Sequence, residues 1–237
     1  MIQVALCPSE IRRISATDLG DVTAVVFDVL RATSSVITGL ASGVEYIIPV
    51  RTVEEAHQRK LADPDLLLAG EREGLPPQGF DLGNSPEEFL KIRGRRVVMT
   101  TTNGTAAIES VRLASQILIG ALVNLDALAD YLFTHPPRSL LLVCAGTGEE
   151  FSLEDAIAAG ALVARLPDDQ AASDSAMMVR SLYERVGDDM DWWLRQTQNG
   201  KRLQRIGKGA DITWCAQLSV YNLVCQLKGG KIICSTK

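Results

Sequence analysis

The sequence predicts an α/β protein with a three-layer α/β/α arrangement and a largely parallel or mixed sheet, followed by a helical C-terminal segment. Three observations lead there. Short apolar runs alternate with amphipathic stretches of helical period. Hydrophobic residues make up 46% of the 237 positions, enough for a substantial core. Polar, glycine-containing clusters follow the apolar runs, as loops between strands and helices do. The strands are expected at "QVAL", "VTAVVF", "VEYIIPV", "DLLLAG", "RVVMT", "SQILIGA" and "SLLLVCAG", where β-branched and aliphatic residues cluster. Helices are expected over Ser34–Ser42, Val53–Leu61, Pro86–Ile92, Thr105–Ala114, Leu125–Phe133 and Leu153–Arg165. Residues 1–166 form the core carrying the loops. Residues 167–237 read as a mainly helical extension returning to it, either as a separate unit or within one continuous domain. Short strands are expected in that tail at "DITWCAQ", "VYNLVCQL" and "KIICS".

Bulk properties narrow the function. The net charge of −5 disfavours broad nucleic-acid binding. No apolar run reaches membrane-spanning length, and the N-terminus lacks signal-peptide character, so a cytoplasmic protein without a membrane partner is expected. Oligomeric state is not written in the sequence, although a homo-oligomer suits an enzyme of this size. Cys7, Cys144, Cys215, Cys225 and Cys234 are odd in number and contain no C-x-x-C, against a disulfide framework or structural zinc. The two histidines, His57 and His135, sit in polar or proline-flanked contexts that do not suit a catalytic imidazole. Trp192 and Trp193 suit packing.

The informative segments follow the strands. "TTTNGTAA" (Thr100–Ala107) brings hydroxyls, an amide and a helix start after "RVVM". That combination suits an anion, while Thr102 or Asn103 also suits a simple cap. "DVLRATSS" supplies Asp28 and Arg31, with Thr33 and Ser34 at a helix start. "GERE" supplies Glu71 and Arg72. "GFDLGNSP" supplies Asp81 and Asn84. "AGTGEEFSLEDAIAAG" supplies Glu154 and Asp155. Each loop alone is explained by caps, ion pairs and turns. Together they describe one concave site beyond the carboxyl ends of the strands, provided those strands are parallel. Arginines that grip an oxyanion and carboxylates that hold a hard cation point to metal-assisted phosphate chemistry. Mg2+ takes only one or two protein carboxylates, so some of these acids do other work.

Two common phosphate signatures are missing: there is no G-x-x-x-x-G-K-[ST], and "AGTGEE" lacks the third glycine of a dinucleotide loop. "FDVLRAT" has Leu30 where an aspartyl-nucleophile phosphatase carries its second aspartate.

With "DVLRATSS", "AGEREGLPPQGFDLGNSP", "TTTNGTAA" and "CAGTGEEFSLEDAIAAG" in that order, and "GKGADITWCAQL" near the C-terminus, the chain resembles the magnesium-dependent 2-phosphosulfolactate phosphatases of coenzyme M biosynthesis. The resemblance implies a three-layer α/β/α hydrolase that removes phosphate from a small anionic acid, with Mg2+ as cofactor. It places Asp28 and Arg31 at the chemistry, Asp28 orienting or deprotonating water or acting as nucleophile. Arg31, Thr33, Arg72, Asn84, Thr101, Thr102, Asn103, Gly104 and Thr105 are expected to bind phosphate or substrate. Glu71, Asp81, Glu154 and Asp155 are expected to hold metal. Ser219 departs from the family pattern, which has an acid there. A non-catalytic binder of a phosphorylated or sulfonated metabolite and a nucleotide-dependent oxidoreductase are the competing readings.

Overall fold

The structure, a computed structural model, describes residues 1–167, 172–187 and 189–235. The chain begins with β1 (Ile2–Ala5), α1 (Pro8–Ser15), β2 (Val22–Phe27), α2 (Ala32–Ala41), β3 (Tyr46–Pro49), α3 (Val53–Ala62) and β4 (Leu67–Gly70). It continues through α4 (Pro86–Phe89), β5 (Arg96–Thr100), α5 (Gly104–Ser110), β6 (Gln116–Gly120), α6 (Leu125–Thr134), β7 (Ser139–Cys144) and α7 (Leu153–Val163). The C-terminal part holds α8 (Asp174–Val186), α9 (Met190–Gln196), α10 (Gln198–Arg205), α11 (Gly209–Cys215), β8 (Val224–Lys228) and β9 (Lys231–Ser235). Among the described residues no helix is long and apolar enough to cross a membrane.

One mixed sheet runs β1-β7-β2-β6-β8-β9-β3-β5-β4. The first four strands are parallel to one another, as are the last three. The β8–β9 hairpin joins the two blocks by three antiparallel pairings, so the blocks run in opposite senses. The expectation of one shared carboxyl edge is therefore corrected. The loops are brought together differently, because both blocks pack on the same two helices.

The period-two side-chain alternation shows how. In β2, Val25 and Phe27 join a cluster with α6, α7 and α8, while Ala24 and Val26 face a second cluster. That second cluster also takes Val97 and Met99 of β5, Ile47 of β3, Val36 and Ile37 of α2, and Ala107 and Ile108 of α5. Val98 points the other way, to Ala56 of α3. Helices thus cover both faces, and α2 and α5 lie between the two blocks. The loops that start these helices, after β2 and β5, meet as a result.

Two elements differ from the sequence reading. "DITWCAQ" looks strand-like because it is rich in β-branched and aromatic residues, yet it is the helix α11. Asp211, Ile212 and Cys215 are its buried residues, spacing that fits one helical face. α1 escaped notice because it is short and polar, with Ile11 its one buried side chain. The sequence boundary at 166/167 lies beside residues 168–171, which are outside the described residues. The tail does return to the core, since β8 and β9 occupy the middle of the sheet.

Candidate active site

A cavity of about 150 Å³ opens where these loops meet. Asp28, Arg31, Glu71, Asn84, Thr102 and Asn103, all expected from the sequence, line it. So do Leu30, Gly74, Thr147 and Gly148 from the same loops, and Asn199, Arg202 and Leu203 from α10.

Asp28 ends β2 with its side chain 8% exposed. Its Oδ1 accepts from the Ala32 N–H at 3.3 Å. Burial, and then the nearby Glu71 and Glu154 charges, push its pKa up to about 7, against the lowering effect of the Ala32 and Gly104 N–H groups. Gly104 permits this approach. A Cβ there would lie 2.6 Å from Asp28 Oδ2 and 2.8 Å from Ala32 Cβ. Gly104→Ala is therefore expected to displace the carboxyl and lower kcat about 100-fold. Steady-state phosphate release measures this, and an unchanged kcat would remove Asp28 from the chemistry or show that α5 yields freely.

Arg31 lines the cavity but is already engaged. Its Nη1 donates to Asp211 Oδ2 at 2.6 Å and its Nη2 to the Gly74 carbonyl at 2.8 Å. The pair is buried, at 3% and 7% side-chain exposure. Asp211 Oδ1 accepts from Ser85 Oγ at 2.7 Å, which ties α11 to the start of α4. Glu71 accepts from the Thr102 N–H and the Gly74 N–H, both at 2.8 Å, and so fixes the two loops on either side of the cavity. Asn84 is 3% exposed. Its Oδ1 is the buried side-chain polar atom left without a partner among the described residues. Buried amides are normally satisfied, so an orphan acceptor on a cavity wall asks for a donor or a cation.

Several expected ligands are placed elsewhere. Thr33 Oγ1 accepts from the Asp28 N–H and braces the turn. Thr101 and Thr105 close on each other, each hydroxyl accepting from the other's N–H at 3.1 Å. Arg72 spends its guanidinium on Glu71 O and on Thr100 O and Oγ1, off the cavity wall. Asp81 accepts from the Leu68 N–H and pairs with Lys60, and the structure does not bring it to the cavity. Asp155 takes the Val29 and Gly146 N–H groups, holding the ends of β2 and β7 together. Glu154 accepts from Asn199 Nδ2 at 2.6 Å. Burial raises the pKa of both, and for Asp155 the neighbouring Glu154 and Asp28 add to it. Neither acid lines the cavity. Thr102 and Asn103 do line the cavity, with Thr102 Oγ1 and Asn103 Nδ2 unpartnered among the described residues and Asn103 Oδ1 accepting from the Gly148 N–H.

Ser219 lies away from this cavity. Its Oγ accepts from the Asp126 N–H at 3.1 Å, at the start of α6. His57 packs edge-on against Phe80 and His135 stacks on Tyr131, and neither lines the cavity. Cys144, Cys215 and Cys225 are buried as small apolar residues.

The comparison that decides the family is its own model, described as 2-phosphosulpholactate phosphatase, which matches residues 9–230. The chain belongs to the 2-phosphosulpholactate phosphatase family. Its relatives include proteins named probable 2-phosphosulfolactate phosphatase from three bacteria. That of Thermotoga maritima is 41% identical over 213 residues, covering 89% of this chain and 91% of the relative. That of Thermotoga petrophila is 40% identical with the same coverage. That of Deinococcus radiodurans is 41% identical over 212 residues, covering 87% and 88%. The match covers every residue that lines the cavity, from Asp28 to Leu203.

Asn199, Arg202 and Asp211 were not singled out as site residues. The available signal was the cationic, polar helix "QNGKRLQR" in an acidic chain, and the acid in "GKGADITW".

Proposed function

We propose that this chain is a Mg2+-dependent phosphatase that hydrolyses 2-phosphosulfolactate to 3-sulfolactate and phosphate, a step that serves coenzyme M biosynthesis in the cytoplasm. The observation that carries this reading is the acceptor-only wall formed by Asp28, Glu71 and the orphan Asn84 Oδ1. Two carboxylates and an amide oxygen repel a phosphate dianion unless a cation lies between. Among the described residues no three acids, histidines or cysteines form a metal cage. The donor set nevertheless suits Mg2+, which needs few protein oxygens and keeps sites for water and substrate. Asp28 and Glu71 would hold it with Asn84, in place of the wider set of Glu71, Asp81, Glu154 and Asp155. Held there, Mg2+ would supply the positive charge that offsets the phosphate dianion against these carboxylates.

The chain's own groups supply the rest. Thr102 Oγ1 and Asn103 Nδ2 donate to the phosphoryl oxygens. Asp28 orients a water against phosphorus and takes its proton. The new P–O bond forms as the ester P–O bond opens, and the proton taken by Asp28 passes through solvent to the leaving alkoxide, which gives the alcohol and returns Asp28 to the carboxylate.

Phosphate release from 2-phosphosulfolactate tests the reading. Turnover is expected with Mg2+, loss of turnover in EDTA, and recovery when Mg2+ is restored. Turnover that persists unchanged in EDTA would contradict the metal assignment. Binding without any turnover would leave a non-catalytic metabolite binder.

A further inference from the structure

The cavity contains a cation that the phosphate chemistry does not use. Arg31 is tied to Asp211 and Gly74, and Arg72 lies off the wall. Arg202 is half-buried on the wall, and its guanidinium has no hydrogen-bond or ion-pair partner among the described residues. It lies over the same peptide that Arg31 grips, since a Cβ on Gly74 would come within 3.9 Å of Arg202 Nε.

The helix that presents Arg202 is held firmly. Thr197 caps α10, its hydroxyl accepting from the Gly200 N–H at 3.0 Å. Gly200 abuts the Leu194 carbonyl so closely that no side chain fits. Asn199 Nδ2 donates to Thr147 Oγ1 and Glu154 Oε1, and Leu203 is 4% exposed. Outside the cavity, Lys201, Arg202 and Arg205 share a groove with Thr147 and Asn199, a cationic approach on a chain of net charge −5. Such a ramp steers anions inward.

We propose that Arg202 binds one of the two non-reacting anionic groups of the substrate, its sulfonate or its carboxylate, and so sets the enzyme's preference for a phosphoester that carries that group. This rests on the phosphatase reading above. A guanidinium offers two parallel N–H donors to either group, and Arg202 reaches the cavity from α10, an element that carries none of the acids that phosphate meets.

The test is steady-state kinetics of wild type, Arg202→Ala and Arg202→Lys with 2-phosphosulfolactate and with 2-phospholactate, which lacks the sulfonate. Inhibition by inorganic phosphate serves as the probe of the phosphate end, and thermal unfolding checks the fold. Arg202→Ala is expected to raise KM for 2-phosphosulfolactate about 10- to 100-fold with kcat nearly kept, and to leave the phosphate inhibition constant unchanged. Arg202→Lys is expected to recover part of the loss. A KM penalty confined to 2-phosphosulfolactate assigns the sulfonate, and an equal penalty on both substrates assigns the carboxylate. An unchanged KM for both, or phosphate inhibition weakened in step with KM, overturns the proposal. If wild type releases phosphate from neither substrate, the phosphatase reading itself fails, and this is seen before any variant is compared.

Discussion

Replacing Asp28 by asparagine is expected to lower kcat roughly 10²- to 10⁴-fold while making the metal-free protein more stable at pH 8. The two effects share one cause. The carboxyl is buried beside Glu71 and Glu154, and its pKa is lifted from 3.8 to about 7. Between those values the folded protein keeps a proton that the unfolded chain gives up. Wild-type stability therefore falls as pH rises from about 4 to 7 and is level above that window, as far as this group is concerned. A full shift of this size corresponds to about 4 kcal/mol. Asparagine keeps the acceptor for the Ala32 N–H and removes the charge. Urea unfolding in EDTA at pH 5 and pH 8 measures the difference. The stabilisation should be large at pH 8 and small at pH 5. A variant less stable than wild type at both pH values would mean that Asp28 is a structural carboxylate.

Arg31→Ala is expected to destabilise the fold by about 3–5 kcal/mol, because it strands Asp211 as a buried charge. Arg31 and Asp211 bridge 180 positions of sequence, so their loss also loosens α11 from the loops after β2 and β4. The double variant Arg31→Ala/Asp211→Ala should recover part of that loss, since it removes the stranded charge with its partner. Arg31→Lys should recover little, because an ammonium does not reach Asp211 and the Gly74 carbonyl in one fork. Denaturant midpoints of wild type, Arg31→Ala, Asp211→Ala and the double variant give the coupling directly. Strict additivity of the two alanine changes would show that the pair is not coupled.

These two residues also show what the sequence made legible. Asp28, Glu71, Asn84, Thr102 and Asn103 were recognisable because polar residues directly after buried strands have few roles other than turns and ligands. Their neighbours looked the same on paper. Thr101 and Thr105 differ from Thr102 only in closing on each other, which depends on the path of one turn. Asp81 and Glu71 come from one loop, yet Asp81 bends back to Leu68 and Lys60. Asp155 and Glu154 read as helix-start acids, and their burial follows from how β2 and β7 pack side by side. The strand directions were the weaker inference. Local alternation reveals which residues are buried, but it carries nothing about an antiparallel hairpin entering between two parallel blocks. Arg202 and Asp211 were out of reach for a similar reason: a polar helix and a β-branched segment acquire a role only when α10 and α11 fold back over the loops.

The measurement that tests the central claim most directly is 31P NMR of 2-phosphosulfolactate incubated with the protein and Mg2+, with the Asp28→Asn variant in parallel. The wild type should convert the phosphoester signal to inorganic phosphate, and the variant should leave it almost intact over the same time. A phosphoester that survives the wild type, or that disappears equally fast with the variant, would contradict hydrolysis at this cavity.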